Sequence, residues 1–211
     1  MSFFTQFQAG KPSFQEFNAS GTFTVPGGVN TVYITMCGGG GAGGAGNGNN
    51  NGSGGGAGGA FCYRRPFTVT SGASITVTIG AGGTSDANPG GSTSFSSLTV
   101  TGGNPGRNSV ASGINDGSSA GTAATGGSNG GIATLSAIPA GFGGGKPGRG
   151  IYAGNAAGVV CGGGGAGLFG DGTDGASSPN SPTANSGAGA GGSMGSTTAA
   201  ASGKCIVEWF T

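Results

Sequence analysis

Along the first hundred residues, apolar and polar positions alternate in short runs that turn signals interrupt. Phe23 and Val25 alternate with Thr22 and Thr24, Pro26-Gly27-Gly28 marks a turn, and Val32, Ile34 and Met36 then alternate with Tyr33 and Thr35. A period of two with one apolar face predicts half-buried β-strands, here a pair joined by a tight connection. Residues 61–70 and 74–79 predict a second pair. Phe67, Val69, Ile75, Val77 and Ile79 alternate with Thr68, Thr70, Thr76 and Thr78 across the turn Ser71-Gly72-Ala73. Residues 92–101 read as one further strand or two short ones. The alternation then fades until residues 204–211, KCIVEWFT, where Val207 and Trp209 share one face and Ile206, Glu208 and Phe210 the other. So apolar a terminal strand is expected to pair back onto the early strands. The fold class expected is mainly β, a small antiparallel β-sandwich framework from which the glycine-rich stretches are excursions.

The longest excursion, residues 37–61, reads CGGGGAGGAGNGNNNGSGGGAGGAF. Glycine supplies 56 of the 211 residues, where about 7% is usual. Two readings compete: a flexible linker, or an ordered glycine architecture. Steps of three from Gly40 give Gly43, Gly46, Asn49, Gly52, Gly55 and Gly58, one nearly unbroken glycine phase. Helices of the polyproline-II type have three residues per turn and no internal hydrogen bonds, so a side-chain-free face lets them pack and bond laterally. The bounding strands favour packed polyglycine-II-like segments. Proline is too scarce for collagen.

Charge changes the picture by exclusion. Seven Lys and Arg, six Asp and Glu and no histidine leave a net charge of +1, which provides no electrostatic footprint for nucleic acid. No apolar run approaches membrane-spanning length, so neither nucleic acid nor membrane insertion is expected. The N-terminus lacks the pattern of a secretory signal, and the four cysteines, Cys37, Cys62, Cys161 and Cys205, read as small buried hydrophobes in a protein made in the cytoplasm. Without histidine no hydroxyl or thiol has a base to activate it, and Glu16, Asp86, Asp116 and Glu208 are scattered. Asp171 and Asp174 in GDGTDG make too few carboxylates for calcium. No catalytic residue, cofactor or metal site is expected, and the chain is not read as an enzyme. Arg64 and Arg65 read as a solvated strand edge.

Residues 1–20 differ from the rest. Phe3, Phe4, Phe7, Phe14 and Phe17 lie among Gln, Ser and Lys. They read either as a strand or two on the main body or as an arm docking on a partner. The expected division is therefore a docking arm, 1–20, and a glycine-rich β domain, 21–211.

The order FTVP, VNTVYITMCGGGG, a glycine loop, FTVTSGASITVTIGAGG, GGSTSF and a closing IVEW resembles the glycine-rich domains of tailed-bacteriophage tail fibres and minor tail proteins. It is also similar to the tip adhesins of T-even-type phages, though the strands here are clearer and the glycine runs shorter. The resemblance implies a virion protein at the tail or fibre, homo-oligomeric, with a trimer one form open to it. It implies other tail or fibre proteins as partners through the N-terminal arm, and a host surface glycan or outer-membrane protein as receptor. The contact loops expected are 47–53, 84–89, 104–119 and 177–185, with Asn47, Asn49, Asn50, Asn51, Asp86, Asn88, Asn104, Arg107, Asn115, Asp116, Asn180 and Asn185 as contact residues. The alternatives are a purely structural virion protein (capsid decoration, head fibre or tail-assembly component) and, more remotely, an ice-binding protein suited by its Thr-x-Thr strands.

Overall fold

The computed structural model describes residues 10–46, 53–85, 88–106, 151–152, 160–161, 164–176, 180–193 and 195–211. These residues are mainly β, with no α-helix among them. The strands are β1 (Pro12–Phe17), β2 (Gly21–Thr24), β3 (Thr31–Cys37), β4 (Phe61–Thr68), β5 (Ser74–Thr78), β6 (Thr93–Phe95), β7 (Leu98–Val100), β8 (Ile151–Tyr152), β9 (Val160–Cys161) and β10 (Lys204–Phe210). One antiparallel sheet has the order β1-β10-β3-β4 and a second the order β2-β5-β6-β7, while β8 and β9 pair separately.

The alternating residues dictate how the two sheets meet. Val32, Ile34 and Met36 of β3 and Cys205 and Val207 of β10 cluster with Phe23, Val77, Phe95 and Val100 of the second sheet. Aromatic rings close the gap between the layers: Phe23 stands 5.5 Å from Trp209, and Phe67 meets Phe95 edge-on at 5.4 Å. Such tilted pairs add to the stabilisation that their burial already gives.

The strands fall where the alternation predicts, but their partners differ. β2 and β3 do not form a pair: β2 joins β5 in one sheet, and β3 lies between β10 and β4 in the other. β4 and β5 are likewise in different sheets. Each supposed turn is a crossover between layers. Val25 and Val29 on the first crossover and Val69 on the second are buried in the core. Two backbone bonds, Val25 N to Ala73 O and Gly72 N to Val25 O, tie the crossovers together. Residues 92–101 divide into two short strands about a turn at Ser96, whose φ is 53°. The C-terminal strand pairs back onto β3 as expected, and also onto β1. Residues 12–17 are thus an edge strand of the sandwich with Phe17 in its core; Phe3, Phe4 and Phe7 lie outside the described residues.

The glycine segments stand on one end of this sandwich and form a close-packed bundle. Residues 38–46 continue β3 outward and run through its centre, and their hydrogen bonds repeat every three residues. Gly38, Gly41 and Gly44 donate to Ala60, Ala57 and Gly54 at 2.8 Å each. Gly39 and Ala42 donate to Gly91 and Asn88, and Gly40 and Gly43 to Ala201 and Thr198. Each phase of the threefold helix therefore serves one neighbour, and each of these neighbours is a chain returning toward β4, β6 or β10.

Three other neighbours run outward and lie against its Cα atoms. A Cβ built on Gly38 or Gly41 would strike the carbonyl of Thr101 or Asn104, one on Gly39 that of Ala81, and one on Gly40 or Gly43 that of Ala188 or Gly191. All fall well inside the 3.0 Å that real Cβ contacts essentially never breach. These same neighbours donate back: Gly103 and Gly106 to Gly39 and Ala42, Ala190 and Ser193 to Gly41 and Gly44, and Gly83 to Gly40. Six chains thus surround residues 38–46, three accepting from it and three donating to it. This is polyglycine-II-like packing, and it needs more than the single bare face read from the sequence: every face of the central helix meets backbone. Ala42 is tolerated because Gly83, the residue beside its methyl group, has no side chain of its own. At about 3.1 Å per residue, residues 38–46 reach roughly 25 Å above the sandwich.

Candidate recognition surface at the end of the glycine bundle

Strand direction decides where the loops of this molecule point. β3, β5 and β7 run toward the bundle and continue into the outgoing segments 38–46, 80–83 and 101–106. Segments 53–60, 88–91 and 198–203 return into β4, β6 and β10. Residues 187–193 form a fourth outgoing segment, parallel to 38–46. The described residues that end these segments, Gly46, Ser53, Ser85, Asn88, Gly106 and Ser193, therefore all lie toward the end of the bundle far from the sandwich. Lys11 and Thr211, which exchange backbone bonds, lie at the opposite pole.

The predicted contact residues divide between these levels. Asn88 is at a distal turn, exposed, where its Nδ2 donates to Ser85 Oγ at 2.8 Å. Asn47, Asn49, Asn50, Asn51, Asp86, Arg107, Asn115 and Asp116 lie outside the described residues, although residues 46, 53, 85, 88 and 106 bring the chain to and from the distal end. Asn104 is exposed on the flank of an outgoing segment, its carbonyl accepting from Ala57 N at 2.8 Å. Asn185 sits at the base of the bundle, half-buried, with φ 55° and its Oδ1 accepting from Ser202 Oγ at 2.7 Å. Asn180 is exposed, in the stretch that leads up to that base. Ala176, whose amide donates to the Gly192 carbonyl near the distal end, and Asn185 at the base bound the 177–185 stretch, which therefore spans the two levels; residues 177–179 lie outside the described residues.

One distal turn escaped the sequence reading. Residues 195–197 connect the fourth outgoing segment to the chain returning into β10, and Gly195 and Ser196 are exposed. Ser193 organises this turn: its Oγ accepts from the amides of Gly195 and Ser196 and donates to the Ser196 carbonyl. Buried Ser53 donates to the Ser193 carbonyl and locks the turn to the chain that leaves the 47–52 loop. Only a serine-glycine cluster between two alanine-glycine runs could have signalled it.

By sequence these stretches bear mostly hydroxyls, amides and backbone groups, with few charges such as Asp86 and Arg107. Their supports are rigid, since the segments beneath them are bonded in three directions. Among the described residues no group of three or more His, Cys, Asp or Glu could hold a metal ion. Cys37, Cys62 and Cys205 are free and buried. Desolvation pushes the thiols of Cys37 and Cys205 up to about 12 and that of Cys62 upward as well, so they remain protonated. The side chain of Cys161 lies outside the described residues.

The basic pair lies exposed on β4, an edge strand of its sheet, as the expectation of a solvated edge has it. The register shifts between Ile34 and Met36, and Arg64 takes a φ of 44° at this bulge. Its amide donates to Thr35 Oγ1, and its guanidinium lies 3.3 Å from Glu208 and above the Tyr33 ring. Bulge, arginines and Pro66 together blunt this edge of the sheet.

No helix among the described residues is long and apolar enough to cross a membrane. A search among curated proteins finds no match. The model of one family, described as glycine-rich domain, matches residues 17–210, from the last residue of β1 to the last of β10. Sandwich and bundle together are thus what that match covers, and the chain belongs to the glycine-rich domain family.

Proposed function

We propose that this chain is a tail-fibre or tail-tip protein of a tailed bacteriophage, carried on the virion, that contacts the host cell surface through the turns at the far end of its glycine bundle. The observation that carries the reading is the polarity of the molecule. Four glycine segments, 38–46, 80–83, 101–106 and 187–193, run out to one end, while β1 begins and β10 ends at the other. A rigid backbone lattice beneath exposed loops limits the ordering cost of binding and lets loop sequence vary without disturbing the core. The resemblance of the FTVP, ITMCGGGG and IVEW blocks to tail-fibre sequences supports the same role. The receptor is a glycan or an outer-membrane protein, read by hydroxyl and amide groups.

Geometry sharpens the contact set. Residues 47–52, 84–88 and 194–197, with the chain that follows residue 106, form the contact group in this reading, and Asn185 braces the base through Ser202. Exchanging each loop for one of different sequence and measuring phage adsorption tests this. Swaps at 47–52, 84–88 and 194–197 are expected to alter adsorption or host range with the thermal transition unchanged, while a swap at 180–185 lowers stability. Unchanged adsorption across all three distal swaps overturns the reading.

A further inference from the structure

The two sheets have four edges, and three of them are blunted against pairing with another chain. β4 carries the bulge at Arg64, Arg65 and Pro66. β2 and β7 are only four and three residues long. β1 is different: six residues, no bulge, and Phe14 is 70% exposed in its middle. Exposed, unprotected edges of this kind are what natural sheets avoid unless the edge is used.

Hydrogen-bond phase shows which groups that edge offers. Lys11 and Thr211 exchange both backbone bonds. In an antiparallel ladder, bonded pairs alternate, so Ser13, Gln15 and Phe17 bond to β10 through their partners Trp209, Val207 and Cys205. The amides of Phe14 and Glu16 and the carbonyls of Pro12, Phe14 and Glu16 therefore point away from the sheet. Among the described residues nothing bonds to them.

We propose that β1 pairs antiparallel with β1 of a second copy of this chain, joining two four-stranded sheets into one of eight strands about a two-fold axis at Gln15. The occupant is argued from the strand itself. With Gln15 opposite Gln15 of the other copy, Phe14 exchanges both backbone bonds with Glu16, and Glu16 with Phe14. Pro12, which has no amide, falls opposite Asn18 at the strand end and costs one bond at each end of the interface. Centring the axis on Phe14 would instead set Pro12 against Glu16 and leave the Glu16 carbonyl without a donor in mid-strand. The favoured register places no like charges directly opposite. It puts neutral amides on the axis, and each Glu16 is already neutralised by its own Lys204 at 2.8 Å. The exposed rings of Phe14 and, on the neighbouring strand, Phe210 then share one outer face across the junction. Such an interface is isologous and closes at two copies. It stands independently of any receptor contact by the bundle.

The test uses the full chain. Light scattering after size exclusion should give a dimer at tens of micromolar concentration. Phe14→Pro removes a free-edge donor without touching the β10 ladder, and is expected to yield monomers with an unchanged thermal transition. Gln15→Cys should form a disulfide-linked dimer under mild oxidation at least tenfold faster than Ser13→Cys, with the unsubstituted chain as background. A monomeric unsubstituted chain overturns the proposal and leaves the edge to an extended segment of a different protein. A dimer that survives Phe14→Pro, or equal cross-linking at positions 13 and 15, overturns it too.

Discussion

The sandwich and the glycine bundle solve the same problem with opposite materials. In the sandwich, side chains fill the space between backbones, and Phe23, Phe95, Ile34 and Met36 are wholly buried. Apolar area removed from water there offsets the entropy of ordering. In the bundle there is no space to fill, because backbone lies against backbone. Glycine loses the most entropy on ordering, and the return comes from bonds: the amides of residues 38–44 all donate to other segments. Each such bond contributes about 0.5–1.5 kcal/mol net, and close Cα approaches to carbonyls add weaker contacts. The lesson is one of sign. A sandwich suffers when atoms are removed, a glycine bundle when they are added.

Four measurements can break or sharpen that contrast. The largest effect is expected in the sandwich, where Phe95→Ala leaves a cavity against Phe23 and Phe67 and should lower stability by about 3–5 kcal/mol, read by denaturant unfolding. Next, Gly40→Ala adds one methyl against the Ala188 carbonyl, where neither backbone can yield. The cost expected is about 3 kcal/mol, the upper end for overpacking. Gly27→Ala, with nothing within 4 Å, should stay within about 0.5 kcal/mol of the parent chain, as surface changes usually do. If Gly40→Ala is equally silent, the bundle is not close-packed in solution.

Thiol labelling asks whether the two regions open together. Cys62 and Cys205 lie in the sandwich core, whereas Gly187 of the bundle packs against Cys37 Sγ. At pH 8 none of the three should react until the fold opens, since burial holds their pKa values high. Equal rates at Cys37 and Cys205 indicate one cooperative unit; faster labelling at Cys37 indicates that the bundle lifts off first.

The smallest effect concerns the tie between β1 and the base of the bundle. The Lys204 hydrogen bond, and after it that of Asn18, hold the Glu16 carboxyl below its ordinary value of 4.5. A depressed folded value means that the contribution is present above pH 4.5 and lost as pH falls through the lower folded value. The pair is partly exposed, so its worth is about 0.5 kcal/mol. Glu16→Gln should remove that acid-side slope in thermal unfolding. Lys204 also sits 5.2 Å from the Phe169 ring, so Lys204→Met tests the same tie from the bundle side.

Much of this architecture was legible along the chain. Thr22 to Val25, Val32 to Met36 and Ile206 to Phe210 announce their strands by period two, because a pleated strand with one buried face permits little else. The three-residue phase from Gly40 announced a lateral packing of glycine helices. Pairing was not legible. Pro26-Gly27-Gly28 and Ser71-Gly72-Ala73 read as turns that join paired strands, yet both cross between sheets, since a turn residue sets local φ and not the layer to which the chain goes. The distal turn at 195–197 carries no clear mark in the sequence, and Asn185 stands at the base although it closes a polar stretch like the others, for a related reason. Polar loops look alike in sequence, and their level along the bundle depends on the direction of the strands that feed them.

The sequence by itself determined which segments could be strands and which could pack with no side chain between them, because those are properties of period and of the missing Cβ. Only the tertiary structure decided that residues 38–46 sit at the centre with six neighbours, that β1 is an edge strand of its sheet, and that the outgoing segments 38–46, 80–83, 101–106 and 187–193 run to one end. Those outcomes depend on contacts between residues such as Gly40, Gly83 and Ala201, far apart in the chain. A backbone carbonyl, the same at every residue, carries no mark in the sequence of which amide will find it.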